Sequence, residues 1–487
     1  MAYQPKLARF PLPWLPIFVS LALLAPCFWH RRIEAGDLSS HAYNSWLARL
    51  IVRGQAPGLY ITQQWNNVLS DLMLVHLGSL FGLPTAEKLV VSLAVLVFFW
   101  GAFALIRAAT GHSPWFLTPA IAMIAYGWTF HMGFLNYYFS LGFAFLAVAV
   151  LWRGGGIYQW IFGFLLAALA YVAHPIGCLW LVGTIAYVRL SAFTSRWVRW
   201  TLFPAGSLAV LVVHLYVSHH YLTPDPVKGH VFTFAGPDQL VVFGHRYRLV
   251  ALLFAFVLAC IAVRGVTAEF RISEFWQRLR LPLELYLLGL FATAMLWGSI
   301  AISGYSVSVG FLPQRISSIT AILLLCLIGS VQPRPWHLVA LLPCAVMFFS
   351  FVYGDTGTIN RMEAHAENVL APLPPGSRVI ATIWPLPRWR VGLDHISDRA
   401  CIGRCFAYSN YEPSSGQFRI RAASTNRIVV STADAGLAMR EGRYVVEPED
   451  LPLLQLYQCD EKDLTQLCLR PLRTGEVNGR LGYHPTY

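Results

Sequence analysis

Apolar residues in this chain gather into long, nearly uncharged runs rather than into the short alternations of soluble strands and helices. Runs of near-spanning length fall at 10–30, 87–108, 114–131, 134–152, 157–174, 176–190, 200–218, 247–264, 283–302, 316–332 and 336–353. A helix needs roughly 20 apolar residues to cross a bilayer, so this pattern predicts about eleven transmembrane helices. One further apolar stretch, NNVLSDLMLVHLGSLFG at 66–82, falls short of a span and carries Asp71 and His76. Holding both near mid-bilayer would cost about 3 kcal/mol or more. The stretch is therefore expected to lie in the interface as an amphipathic helix.

Composition strengthens this picture. Of 487 residues, 56% are hydrophobic and 12% charged, and mean hydropathy is +0.54. Soluble domains carry about 25% charged residues, so a soluble globular class is excluded. The net charge is +12. Most of the arginines sit in short loops between apolar runs, so the excess reads as a topology signal and no nucleic-acid partner is expected. With the N-terminus inside, the inner loops hold Lys6, Arg9, Arg107, Arg153, Arg189, Arg196, Arg199, Arg264, Arg271, Arg278, Arg280 and Arg334; Arg31, Arg32 and Arg53 run against the scheme. The N-terminus resembles a signal peptide, yet no small-x-small cleavage site follows. In LLAPC, Pro26 stands where a lipoprotein signal needs a small residue before Cys27. The first run is expected to be an uncleaved span.

An odd number of spans places three features on the outer face. These are a long first loop at 31–86, a loop at 219–246 and a polar tail at 354–487. The expected organisation is a transmembrane domain at 1–353 and a small mixed α/β extracytoplasmic domain at 354–487, in a bacterial-type inner membrane. In the tail, TGTINRMEAHAENVL suits a helix, PLPPG a break, and SRVIATIW, RIVVST and RYVVE short strands. Cys27, Cys178, Cys260, Cys326 and Cys344 lie in apolar runs and read as small core residues. Cys401, Cys405, Cys459 and Cys468 form an even set whose spacings are not finger-like. Outside the cytosol they read as disulfides. The pairing stays open, Cys401–Cys405 with Cys459–Cys468 being the local option.

The candidate chemistry begins in EAGDLSSHAYNSWLARLIVRGQ, just past the first run. Asp37 reads two ways: as a helix cap, or as a general base whose proton affinity is tuned by partial burial. His41, one helical turn on, shares a face with it. Glu34 is a second carboxylate; with Asp37 it would hold a divalent cation, Mg or Mn, if one is used, or orient an acceptor hydroxyl.

The order of the first loop carries a resemblance. After a span come an acid, Asp37, an amphipathic helix SWLARLIVRG, a turn QAPGLY, a second interfacial helix ending in Leu80-Phe81-Gly82, and then AEKLVVSLAVLVFFWGAFALIRAATG. This resembles the opening of the GT-C superfamily of polytopic membrane glycosyltransferases, which includes protein O-mannosyltransferases and lipid A aminoarabinose transferases. The likeness covers residues 1–190 in detail and the remainder in architecture. It departs after Asp37, where Leu38 and Ser39 replace a common second acid, and at Asn66-Asn67-Val68, where PPL is usual. The resemblance implies an inverting transfer of sugar from a polyprenyl-phosphate donor to a lipid, glycan or protein acceptor at the outer face, with Asp37 as the base.

A departing phosphate needs a cation. Arg315 in GFLPQRISS is the leading candidate, because guanidinium donors are forked to match phosphate; an interfacial snorkelling anchor is its plainer reading. Arg246 and Arg248 follow, then Lys228, His219 and His220. His131 and Asn136 in HMGFLNYYF and His174 in AHPIG are supporting candidates at loop ends, either lining a cavity or holding ordinary partners. Trp65, Tyr137, Tyr138 and Tyr305 would stack on sugars or belong to interfacial belts. Rival classes are a polysaccharide polymerase or ligase, a transporter and an envelope-assembly protein. Few charges fall within spans, Glu284 and His214 being the exceptions, which disfavours a transporter.

Overall fold

The computed structural model describes residues 14–193, 196–223, 233–270, 272–384, 393, 395–460 and 462–479. Lys6, Arg9, Lys228 and Arg271 lie outside the described residues, as do the side chains of Arg196 and Arg199.

Helices follow the apolar runs closely. They are α1 (Leu15–Phe28), α2 (Leu38–Val52), α3 (Leu69–Phe81), α4 (Leu83–Thr110), α5 (Thr118–Ala125), α6 (Trp128–His131), α7 (Leu135–Leu151), α8 (Ile157–Ala173), α9 (Pro175–Phe193) and α10 (Arg196–His220). Then come α11 (Arg246–Glu269), α12 (Ser273–Met295), α13 (Leu312–Gly329) and α14 (Pro335–Leu370). Among the described residues, six helices are long and apolar enough to cross a membrane: Leu83–Thr110, Pro175–Ala192, Thr201–His220, Arg246–Glu269, Leu312–Gly329 and Pro335–Leu370. This is the pattern of a membrane protein. Leu15–Phe28, Leu69–Phe81, Leu135–Leu151 and Ile157–Ala173 are apolar but shorter.

Two expected spans differ from a continuous helix. The run at 114–131 breaks at Gly127, whose backbone is extended. A Cβ there would come within 2.8 Å of the Gln239 carbonyl oxygen. Past the break, the Gln239 side-chain oxygen accepts from the Thr129 amide at 3.3 Å and hydroxyl at 2.8 Å, satisfying the new helix start. The run at 283–302 stays helical only to Met295 and then enters a short strand, Ser299–Ile300.

The chain divides into two compact units. The first comprises Met1–Pro26, Val91–Ala301 and Val309–Val352. Its α7 packs on α8 and α9, and α12 on α13. α4 and α7 cross closely at Gly101 and Gly142: a Cβ on Gly101 would stand 2.5 Å from the Gly142 oxygen. Small residues permit such backbone approach between membrane helices.

The second unit comprises Cys27–Val90, Ile302–Ser308 and Tyr353–Tyr487. It cuts across the boundary expected at 353/354, because the first loop folds with the tail. Strand β1 (Leu59–Ile61) pairs antiparallel with β6 (Ile420–Ala422), Leu59 opposite Ala422. A four-stranded sheet runs β5 (Cys405–Ala407), β4 (Ser377–Thr382), β7 (Leu454–Gln458), β8 (Leu467–Pro471); β4 is parallel to both neighbours and β7–β8 is antiparallel. Short helices α15 (Ile396–Cys401), α16 (Glu412–Ser415) and α17 (Ala433–Arg440) complete it. Ile380, Tyr408, Val430, Met439, Val446, Leu453 and Leu472 form its core.

The expected strand at SRVIATIW is β4, and the helix at 356–370 is the end of α14. RIVVST and RYVVE are not ladder strands: Ile428, Val429 and Val430 are buried in irregular chain, and Val445 makes only an isolated bridge to Val477. Burial, not ladder pairing, accounts for their β-branched residues. Disulfides join Cys401 to Cys405 and Cys459 to Cys468, the local pairing.

Candidate functional site

Asp37 occupies the N-cap of α2 but does not cap it: no hydrogen bond runs from its side chain to the helix. The carboxylate is 37% exposed, and His395 Nε2 stands 3.5 Å from Oδ1. His395 precedes α15, in the segment DHISDR. Its Nδ1 donates to Asp398 Oδ2 at 2.7 Å, an i,i+3 pair across the first turn. Asp398 is fully buried. The Arg440 guanidinium at the end of α17 lies 3.7 Å from Asp398 Oδ2 and 3.3 Å from His395 Nε2. Burial and Arg440 push the His395 pKa down. The hydrogen bond and charge of Asp398, with the charge of Asp37, outweigh them and raise it.

His41 is one turn along α2, where helical periodicity brings it to the same face. Its Nδ1 pairs with Asp71 Oδ1 of α3 at 2.7 Å. Burial lowers its proton affinity, but the charge and hydrogen bond of Asp71, then the charges of Glu412 and Asp37, push the pKa up to about 9. Asp71, the residue that barred 66–82 from spanning, therefore has a partner on a neighbouring helix. Glu412 of α16 accepts from the Ser40 hydroxyl and from Asn44 Nδ2 at 2.5 Å. Burial raises its pKa against the lowering charges of His41 and His395.

Beneath the loop lies a buried ionic network. Arg399 of α15 contacts Glu363 at 2.7 Å, Glu87 at 3.3 Å and Glu34 at 3.8 Å. Arg32 contacts Glu367 at 2.5 Å and Glu363 at 3.5 Å. Its backbone exchanges two hydrogen bonds with the Asn360 amide, each 3.0 Å. These contacts fix 32–39 to the end of α14 and to α15, and so fix where Asp37 stands. Burial first, then the charge of Glu363, raises the Glu34 pKa well above the carboxylate range, against the lowering charge of Arg399. Glu34 thus sits in this ionic network beside the Arg399 guanidinium. Among the described residues, no three His, Cys, Asp or Glu side chains group to hold a metal.

The remaining expected residues belong to the first unit. Arg315, in the first turn of α13, stacks 3.8 Å over the Phe134 ring, and its Nε donates to the Gly310 oxygen at 3.3 Å. Tyr137 donates to the Arg315 carbonyl at 2.6 Å and meets the His174 ring at 5.4 Å. His174 ends α8, and its Nδ1 accepts from the Ile176 amide at 3.2 Å. The structure therefore gathers Arg315, Tyr137 and His174. Arg246 donates to the Phe351 carbonyl at 3.3 Å while stacking over its ring; Arg248 is exposed. His131 and Asn136 are buried, His131 against Phe130 and Phe243. His219 and His220 are exposed at the end of α10. His214 stacks on Trp297, and Glu284 accepts from Arg280 at 2.7 Å. Tyr138 is a core residue stacked on Phe98 at 4.4 Å, not a platform for a sugar. In the second unit, Trp65 and Tyr305 are exposed.

Sequence reasoning missed His395, Asp398, Arg399, Arg440 and Glu412. The HxxD spacing of His395 and Asp398 was a usable signal; Arg399 and Glu412 acquire meaning through contacts with Glu34, Glu87, Ser40 and Asn44, more than 300 positions away, and Arg440 through His395 and Asp398, more than 40 away. Chemically, the arrangement offers a partly exposed carboxylate beside an oriented imidazole, with the Ser40 hydroxyl and Asn44 amide of α2 hydrogen-bonded to Glu412. No family profile, no curated protein and no solved structure matches this chain.

Proposed function

We propose that this protein is an inverting glycosyltransferase. In this reading it moves a sugar from a polyprenyl-phosphate donor to a hydroxyl-bearing or amide-bearing acceptor at the extracytoplasmic face of the membrane. The observation that carries the reading is the uncapped Asp37 carboxylate, 3.5 Å from a histidine that Asp398 orients. A helix-capping acid would spend its oxygens on backbone amides; this one leaves them available for a proton.

With a hydroxyl acceptor, its oxygen attacks the anomeric carbon as the bond from that carbon to the phosphate oxygen breaks. The electron pair leaves with the phosphate, and the acceptor proton passes to Asp37. His395, 3.5 Å from Oδ1 and oriented by Asp398, positions the Asp37 carboxylate for that proton. Arg315 is the candidate for donor phosphate, for which a guanidinium beside aromatic rings is chemically suited. An inner membrane, an inside N-terminus and an outer tail belong to the same proposal, supported by the arginine-rich loops.

The test is transfer by purified full-length protein in nanodiscs, supplied with labelled polyprenyl-phosphate sugars and an envelope extract as acceptor. Asp37→Asn abolishes turnover while leaving the melting temperature within a degree or so of wild type. Arg315→Ala raises the donor KM. Undiminished transfer by a folded Asp37→Asn protein would refute the assignment.

A further inference from the structure

The turn that joins α7 to α8, Trp152-Arg153-Gly154-Gly155-Gly156, brings together guanidinium groups from two elements of the first unit. A Cβ on Gly154 would collide with the guanidinium of Arg189, near the end of α9. One on Gly111, in the turn after α4, would come within 3.2 Å of Arg153 Nη2. Glycine at these two positions therefore lets both guanidiniums lie against the backbone of the connecting turns. Arg153 is exposed and, among the described residues, has no hydrogen-bond or ion-pair partner. Next to Gly111, His112 Nε2 is buried and also lacks a hydrogen-bond partner among the described residues. Other arginines of this unit are already matched, Arg278 with Glu269 at 3.1 Å and Arg280 with Glu284 at 2.7 Å. We infer that the α7–α8 turn seats the headgroup of an anionic phospholipid, its phosphate between Arg153 and Arg189 and its acyl chains along α8. The inference does not depend on the sugar-transfer reading.

Three observations select that ligand. First, forked guanidinium donors match phosphate oxygens, and Arg153 brings a positive charge that no protein carboxylate balances. Basic sites between the ends of membrane helices hold lipid headgroups in this way. The start of α8 adds little to the anion site, because the Gly156 amide already donates to Gln159 Oε1 at 2.9 Å; the arginines carry the recognition. Second, an apolar track begins at the same turn. Ile157, Ile161, Phe164 and Leu165 are exposed and recur at helical spacing, so they share one face of α8. The track is about 12 Å long at about 1.5 Å per residue. A free anion has no use for it, whereas an acyl chain leaving a headgroup at the turn lies along it. Third, Arg189 stands 5.6 Å over the exposed Trp160 ring in the first turn of α8. An amphipathic indole there suits the boundary between headgroups and acyl chains.

The experiment uses full-length protein in detergent, with retained lipid counted by native mass spectrometry. Phosphatidylglycerol and phosphatidylcholine with identical acyl chains are added in equal amounts. Wild type is expected to retain the anionic lipid about tenfold or more over the zwitterionic one, since each arginine at an anionic headgroup is worth about fivefold. Arg153→Glu reverses a charge at an exposed position, so the fold is kept, as its melting temperature checks, and the preference falls at least about fivefold. Arg189→Gln lowers it in the same direction. Arg334→Glu makes the same charge change at an exposed position in the turn before α14 and keeps the wild-type preference. Equal retention of the two lipids by wild type overturns the inference. So does an unchanged preference in folded Arg153→Glu, or an equal loss in Arg334→Glu, which would mark a general charge effect. Displacement of the lipid by millimolar inorganic phosphate would show an anion site that makes no use of the apolar track, and would overturn it as well.

Discussion

Raising the pH from neutrality to about 10 removes the proton shared between His41 and Asp71, and the structure sets what that proton is worth. His41 is 9% exposed, its ring nitrogen is 2.7 Å from Asp71, and its pKa rises from 6.5 to about 9. A group whose folded pKa lies above its unfolded value gives its full stabilisation below the unfolded pKa and loses it as pH climbs through the folded one. The window is therefore between about pH 6.5 and 9. A gap of about 2.5 units corresponds to about 3 kcal/mol at about 1.4 kcal/mol per unit. Asp71 is 23% exposed, so solvent screening reduces the value to about 1–3 kcal/mol. The assay is thermal unfolding of the full-length protein in detergent, followed by tryptophan fluorescence from pH 6 to 10. Wild type loses several degrees between about pH 6.5 and 9. His41→Gln and Asp71→Asn start lower at pH 7 and lose correspondingly less on going to pH 10, since other alkaline titrations are common to all three proteins. A wild-type slope no steeper than that of His41→Gln would refute the coupling.

Other perturbations follow from the same geometry. Arg399→Met leaves Glu34, Glu87 and Glu363 without their shared cation and costs about 3–5 kcal/mol, read as early unfolding or rapid proteolysis of the second unit. Thr432→Ala removes the side-chain cap that accepts from the Ala435 amide at 3.2 Å at the start of α17; it costs about 0.5–2 kcal/mol in a denaturant or thermal titration. His395→Gln removes the imidazole beside Asp37, and transfer in the nanodisc assay falls about tenfold or more. Tyr444→Phe deletes a hydrogen bond of 2.8 Å to Asp450 and lowers stability by about 1 kcal/mol in the same titration.

The long membrane helices were legible because lipid imposes a simple demand: every backbone polar group must be satisfied within the element. Runs such as 87–108 and 247–264 therefore appear directly as α4 and α11. The break at 127 was not legible, because Gln239, which receives the new helix start, is more than a hundred residues away. The apolar run at 66–82 forms a helix, α3, of 13 residues, in the same short class as Leu15–Phe28. In the tail, RIVVST carries strand propensity that burial overrides, and the β1–β6 pair joins segments some 360 residues apart that no local pattern connects. Asp37 stood out through the order of elements in its loop. Its surroundings did not, since His395, Arg440 and Glu412 lie in the distant tail and reach α2 only through the folded second unit. Glu34 was legible only as a second, supporting carboxylate; its contact with Arg399, 365 positions away, was not.

The most direct test is mass spectrometry of lipids, envelope glycans and exported proteins from cells lacking this gene, complemented with wild type or with Asp37→Asn. One sugar should be missing without the gene, return with wild type and stay missing with a normally accumulating Asp37→Asn protein. Return of that sugar with Asp37→Asn, or identical glycans in every strain, would contradict a carboxylate-driven sugar transfer.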